Sequence, residues 1–197
     1  MLLEDQLLQP PVSEEDPTPC PVPARVEALS PQTDWSRIWS LARVKGLGSD
    51  LTSFLFKLLH CLLPTQDRVS RIINSENSGL CQLCHAEVED PPHAFFYCPY
   101  SRTAGAALLE YVFSTCPSLS PEACLRLELE EDLEDVEILA TVYILATGLK
   151  YIWSVRVEKK QVVLFKMRAE IEAKISIVRK TRYSDAGDLM AQMLNLN

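Results

Sequence analysis

The stretch Cys81-Gln82-Leu83-Cys84-His85, followed by Pro91-Pro92-His93-Ala94-Phe95-Phe96-Tyr97-Cys98-Pro99, decides how the whole chain is read. Cys81, Cys84, His93 and Cys98 stand in the pattern C-x2-C-x8-H-x4-C. Three soft thiolates and an imidazole this close in sequence are the donor set that tetrahedral Zn2+ prefers. The two-residue gap between Cys81 and Cys84 lets both sulfurs turn toward one ion. His93 and Cys98 can supply the other half from a turn or a helix start. Asn77-Ser78-Gly79 leads in and the prolines stiffen the run to His93, so a short irregular metal loop is expected from about Leu80 to Tyr100. A structural zinc of this kind contributes roughly 10–16 kcal/mol of apparent binding free energy, enough to decide whether the loop folds.

Competing chemistries fit the residues less well. Cys81-x-x-Cys84-His85 is literally the attachment string of a c-type haem. That chemistry belongs to exported or organellar proteins, and it would leave His93 and Cys98 without a role, so no haem is expected. His85 is the alternative imidazole, but a residue adjacent to Cys84 rarely wraps back onto the same ion. Zinc deaminases pair H-x-E with P-C-x-x-C, and no acid lies two residues after His93. A catalytic zinc also keeps one position open, whereas four good ligands close the site. His60-Cys61 lies in a leucine-rich helix, where a buried core thiol is the commoner case. With no P-loop, GxSxG or HExxH in the sequence, an enzyme is not expected and no catalytic residue is assigned.

Around the loop the periodicity is helical. Asp34 caps a helix whose Trp35, Ile38, Trp39 and Ala42 share one face. Ser49 opens the clearest stripe, Leu51, Phe54, Leu55, Leu58, Leu59 and Leu62, which Pro64 ends. A short helix from Thr65 uses Val69, Ile72 and Ile73. Beyond the loop, Ser101 opens a helix through Ala104, Leu108, Tyr111 and Val112, and Ser120-Pro121-Glu122 has the form of a helix start. Leu125, Leu127 and Leu129 alternate and would suit a strand as well as a helix. Helix returns from Asp135, with Gly148 as a place where it could break. A long basic helix is expected from Lys150 to Thr181, with Leu164, Met167, Ile171, Ile175 and Val178 on a coiled-coil-like seam. The fold class is therefore mainly α: a small helical domain with an irregular CCHC zinc loop and a long C-terminal helix. The expected organisation is a disordered Pro- and acid-rich tail over 1–33, a helical zinc-binding domain over 34–115, a C-terminal helical region over 116–183, and a loosely ordered tail over 184–197.

The 197 residues carry a net charge of −8, and 47% of them are hydrophobic, enough for a real core. The longest uncharged apolar run, Ile138 to Leu149, falls short of the roughly 20 residues that span a bilayer, and Met1-Leu2-Leu3-Glu4-Asp5 has acids where a signal peptide has bases. Seven cysteines, an odd number, with one CxxC pair, read as metal ligands plus reduced thiols. A soluble intracellular protein, cytoplasmic or nuclear, is expected, without membrane contact. The charge is segmented: 1–34 and 105–149 are acidic, while 35–75 and 150–183 are basic. A dedicated nucleic-acid binder is basic throughout, so any binding here should be local, weak and salt-sensitive. The rival reading is that basic and acidic helices pair with each other.

The order of these features resembles a known family. A Trp-containing helix (Trp35, Trp39) is followed by Phe54-Leu55-Phe56-Lys57-Leu58-Leu59-His60-Cys61-Leu62-Leu63-Pro64-Thr65 and Arg68-Val69-Ser70-Arg71-Ile72. Next come Cys81-x2-Cys84, the acids of 87–90, Pro92-His93 to Cys98-Pro99 and, more weakly, Tyr151-Ile152-Trp153-Ser154-Val155-Arg156. This resembles the zinc-binding region that follows the reverse transcriptase domain in polyproteins of non-LTR (LINE-type) retrotransposons. The resemblance implies zinc ligation by Cys81, Cys84, His93 and Cys98, and a role in holding template RNA or target DNA. It does not extend to a polymerase: the Tyr-x-Asp-Asp signature is absent.

Sequence alone therefore leads to a non-catalytic, zinc-stabilised domain with weak RNA or single-stranded DNA binding through Arg37, Arg43, Lys57, Arg68, Arg71, Lys150, Arg156, Lys159 and Lys160. The alternatives are a protein-interaction module that docks a partner through 150–183, and a retrotransposon relic without selected function.

Overall fold

The computed structural model describes residues 33–73 and 79–196. The expected disordered tail therefore lies outside the described residues except for Thr33, whose hydroxyl donates to Glu128 at 2.9 Å. Helices dominate: α1 (Trp35–Ala42), α2 (Ser49–Leu59), α3 (Gln66–Ile72), a π turn (His93–Tyr97), α4 (Arg102–Val112), α5 (Pro121–Arg126), α6 (Asp135–Val157), α7 (Leu164–Val178) and α8 (Ser184–Met193). Among the described residues there is no strand, only an isolated antiparallel bridge between Leu80 and Val88.

Local chemistry explains three of the helix starts. Asp34 accepts a hydrogen bond from the Arg37 amide at 3.0 Å and caps α1. Ser120 caps α5 through the Ala123 amide, with Pro121 in the first turn, where a missing N–H costs nothing. Glu134 and Glu137 form a reciprocal capping box at the head of α6. Part of the acidic stretch 128–137 is thus a helix-start device.

α6 is the hub. Every residue from Leu139 to Leu149 is buried, and the helix packs against α1, α2, α4, α7, α8 and the π turn. A helix apolar all round can only be stable when surrounded. Its 23 residues are long and apolar enough to cross a membrane, yet two-thirds of its apolar window is buried within the protein, as in the core helix of a soluble domain. Gly148 does not break it: Leu108 of α4 packs against the missing side chain, and a Cβ there would lie 2.5 Å from Leu108 Cδ1.

Four sequence expectations change. The long helix from Lys150 to Thr181 is two helices: α6 ends at Val157, Lys159 takes a left-handed turn, and α7 starts at Leu164. The alternation at Leu125, Leu127 and Leu129 is not a strand, because α5 ends with Leu127 at φ 55° and the leucines feed the core from the turn. The tail after Tyr183 is ordered, since α8 buries Ala186, Met190, Ala191 and Met193 against α6 and α7. One hydrophobic cluster runs from Ile38 to Leu194. The seam Met167, Ile171, Ile175 and Val178 faces this core, which leaves the partner-docking reading without that stripe.

Candidate metal centre

Residues 79–90 form a tight loop held by its own backbone. The Cys81 amide donates to the Glu87 carbonyl at 2.8 Å, His85 to Cys81 at 2.9 Å, and Glu89 to Gly79 at 2.9 Å. Leu83 N–H points at Cys81 Sγ at 3.4 Å, a donor suited to a thiolate. Asp90 then starts the π turn: its carboxylate accepts from the His93 amide at 2.8 Å and its carbonyl from Ala94 at 2.9 Å.

The π turn solves a spacing problem. Five residues advance an α-helix about 140° beyond a full turn, which would send His93 and Cys98 to different sides. Closure by an i→i+5 bond, Cys98 N to His93 O at 2.8 Å, stacks them instead. Phe95, fully buried, anchors the turn against Trp153 of α6, with ring centroids 6.0 Å apart. Gly105 of α4 lets the turn approach; a Cβ there would stand 2.5 Å from the Phe95 carbonyl oxygen.

The result is convergence. The ligand atoms of Cys81, Cys84, His93 and Cys98 all lie within 4.8 Å of one another. Cys81 Sγ and Cys98 Sγ are 3.8 Å apart, and Cys84 Sγ and His93 Nε2 3.3 Å apart. Zinc with Zn–S of about 2.3 Å and Zn–N of about 2.0 Å in tetrahedral geometry needs edges of about 3.8 Å between sulfurs and about 3.5 Å between sulfur and nitrogen. The donors fit. Cys81, His93 and Cys98 are buried and Cys84 is half-buried.

Surrounding groups prepare the donors for a cation. His93 Nδ1 lies 2.9 Å from Glu87 Oε2; with the proton there, Nε2 is the lone-pair atom facing the sulfurs, the usual carboxylate–histidine–metal arrangement. Burial works against the Cys84 thiolate, but the amides of Ala86 and Glu87 and the Cys81 and Cys98 thiols together hold its thiol below the ordinary range. Burial pushes the Cys98 thiol up, opposed by the Tyr100 amide and Arg156. His85, the alternative ligand, is exposed at a left-handed turn (φ 55°) outside the cluster.

Of the nine cations expected to touch nucleic acid, seven are engaged within the protein. Arg156 is buried, its guanidinium 3.2 Å from Cys81 Sγ and 2.7 Å from Glu89 Oε2, so it cannot reach a phosphate; here the sequence expectation is corrected. Arg37 is turned inward onto the carbonyls of Leu129 and Glu130. Arg68 donates to the Cys61 carbonyl, Arg43 to that of Trp39, and Arg71 pairs with Asp67. Lys150 pairs with Asp50 and Lys160 with Glu158, at 2.8 and 2.7 Å. Lys57 and Lys159 are exposed and make no ion pair among the described residues. Sequence reasoning missed the roles of Glu87, Glu89 and Asp90. Their only signal was the acidic stretch between the CxxC and the histidine.

The family described as zinc-binding in reverse transcriptase matches residues 26–104, which contain all four donors and end inside α4. No curated protein and no solved structure matches the chain. Residues 26–104 thus match the family described as zinc-binding in reverse transcriptase, and within them four Cys and His donors meet in one cluster.

Proposed function

We propose that this chain is a non-catalytic, zinc-stabilised helical domain that makes a weak, salt-sensitive contact to RNA or single-stranded DNA. The observation that carries the reading is the convergence of four strong donors, three of them buried, around one point. A closed CCHC set satisfies zinc without an open coordination position, which favours folding over reaction chemistry. Zn2+ would supply the cross-link between the loop at 81–84 and the π turn. The nucleic-acid part rests on the family that residues 26–104 match and on the exposed lysines, Lys57 and Lys159.

The engaged state of most expected cations sets the size of the effect. With two or three phosphates neutralised, log K should fall against log salt with a slope of about −2 on a single strand. Fluorescence anisotropy of a labelled oligouridylate tests this. No binding at low salt removes the nucleic-acid half of the proposal. A reduced wild-type protein that takes up no zinc removes the metal half.

A further inference from the structure

Arg156 lies 52 residues beyond the last position of the family match, near the end of α6, yet its guanidinium stands against the metal cluster. Its side chain is only 3% exposed. Burying a guanidinium costs several kcal/mol unless opposite charge and hydrogen bonds compensate. One nitrogen, Nη2, serves both Glu89 Oε2 at 2.7 Å and Cys81 Sγ at 3.2 Å. Nε and Nη1 are buried with no protein hydrogen-bond partner. A single carboxylate is a thin counterweight for an arginine so placed. Three thiolates on one Zn2+ carry a net charge of −1, and that charge would sit directly against the guanidinium. The same Glu89 also accepts from the Gln66 amide through Oε1 at 3.3 Å, and its carbonyl from Asp67 at 3.3 Å, so it ties the metal loop to the start of α3. One turn before Arg156, Trp153 holds the π turn through Phe95.

We propose that Arg156 is a positioning residue of the metal centre, clamping the zinc–thiolate cluster and Glu89 to α6, so that metal loading and packing of the C-terminal half form one cooperative unit. The inference rests on the zinc reading above and goes beyond it: it makes metal binding depend on a residue outside the matched region, and makes α6 a sensor of metal. Without the metal the zinc–thiolate charge would be gone, and the last two turns of α6 would be held at the cluster mainly by the contact of Arg156 with Glu89. Removal of a partner around metal ligands typically costs 10–100-fold in metal affinity.

Two experiments test it. Co2+ loading of the full chain, followed by its thiolate charge-transfer absorption and by zinc competition against a chromophoric chelator, compares wild type with Arg156→Gln, Arg156→Lys and Glu89→Gln. Arg156→Gln should weaken zinc 10–100-fold, and Arg156→Lys, which keeps the charge, should recover most of the loss. Arg156→Gln within twofold of wild type, or Lys no better than Gln, overturns the proposal. The second measurement needs no variant: amide hydrogen exchange of the wild type with and without chelator. Protection should fall in 150–157 together with 79–98, while Ala140–Leu149 stays slow. Unchanged protection at 150–157 after zinc removal also overturns it. A wild type with no cobalt spectrum fails the zinc reading itself, and a normal spectrum with an indifferent Arg156 fails only the clamp.

Discussion

The donor cluster of the metal loop and the middle of α6 are both buried, and for opposite reasons. Ala140 to Leu149 is mainly apolar, with Thr141 meeting Thr115 and Tyr143 donating to the Gly46 carbonyl; its apolar side chains leave water at about 25 cal/mol per Å2 of apolar surface. Residues 79–98 bury thiols, an imidazole and a carboxylate, groups that burial penalises unless each is paired. One region is held by a non-directional force that tolerates substitution of similar volume. The other gathers donors that a bound metal ion would join through a few directional bonds, and would lose most of its stability with one of them. The lesson is that a single chain can carry a robust core and a conditional one, joined here at Trp153 and Arg156.

The largest predicted effect breaks the conditional half. Cys98→Ser should remove most of the roughly 10–16 kcal/mol that a structural zinc supplies, read as loss of stoichiometric zinc by metal analysis. A mutant that still holds one zinc per chain would show that the four-donor cluster is not the site. Next comes the robust half: Leu145→Ala, at a fully buried position of α6, should cost about 2–5 kcal/mol in denaturant unfolding. It should leave the folded protein with its full zinc content. Zinc lost in step with Leu145 would mean that the two regions are not separable.

The join is probed by Gly105→Ala. The new methyl group would press on the Phe95 carbonyl, and overpacking of this kind costs about 1–3 kcal/mol. A lowered Tm is expected together with weaker zinc binding, because the π turn carries two ligands. The smallest effect lies on the surface. A hydrogen bond from Lys150, aided by Lys174, holds the Asp50 carboxyl below the ordinary aspartate value, against partial burial. A carboxyl depressed in the folded state stabilises above its unfolded pKa, and that stability is lost as pH falls through the folded value. Asp50 is about half exposed, so screening keeps the pair to under about 1 kcal/mol. Asp50→Asn should lower Tm slightly at pH 7 and not at all at pH 2, in low salt.

How much was legible beforehand differs between the two halves. The four ligands were readable because metal chemistry demands particular residue types at short spacing. The α1 and α2 stripes were readable because amphipathic helices write their burial into a 3.6-residue period. α6 was legible as helical but not as the hub, since a helix apolar all round has no stripe to indicate a partner. The order of α8 was missed because its small residues, Ala186, Gly187 and Ala191, carry little hydrophobic signal; they are buried because they allow close approach. Arg156 was misassigned for a related reason. In sequence it stands in a basic segment and reads as surface charge, and only the fold brings it to Cys81 and Glu89.

Sequence by itself determined the donor set, the mainly helical class and the family match over residues 26–104, because each is written in local spacing and composition. Tertiary structure alone decided that His93 and Cys98 meet through a π turn and that the seam of α7 serves its own core. It also decided that most of the expected cations are engaged within the protein. For Arg37, Lys150 and Arg156 the outcome depends on surfaces that approach one another across 67 to 100 residues. Contacts of that range are chosen by packing and charge compensation, which no short window of sequence records.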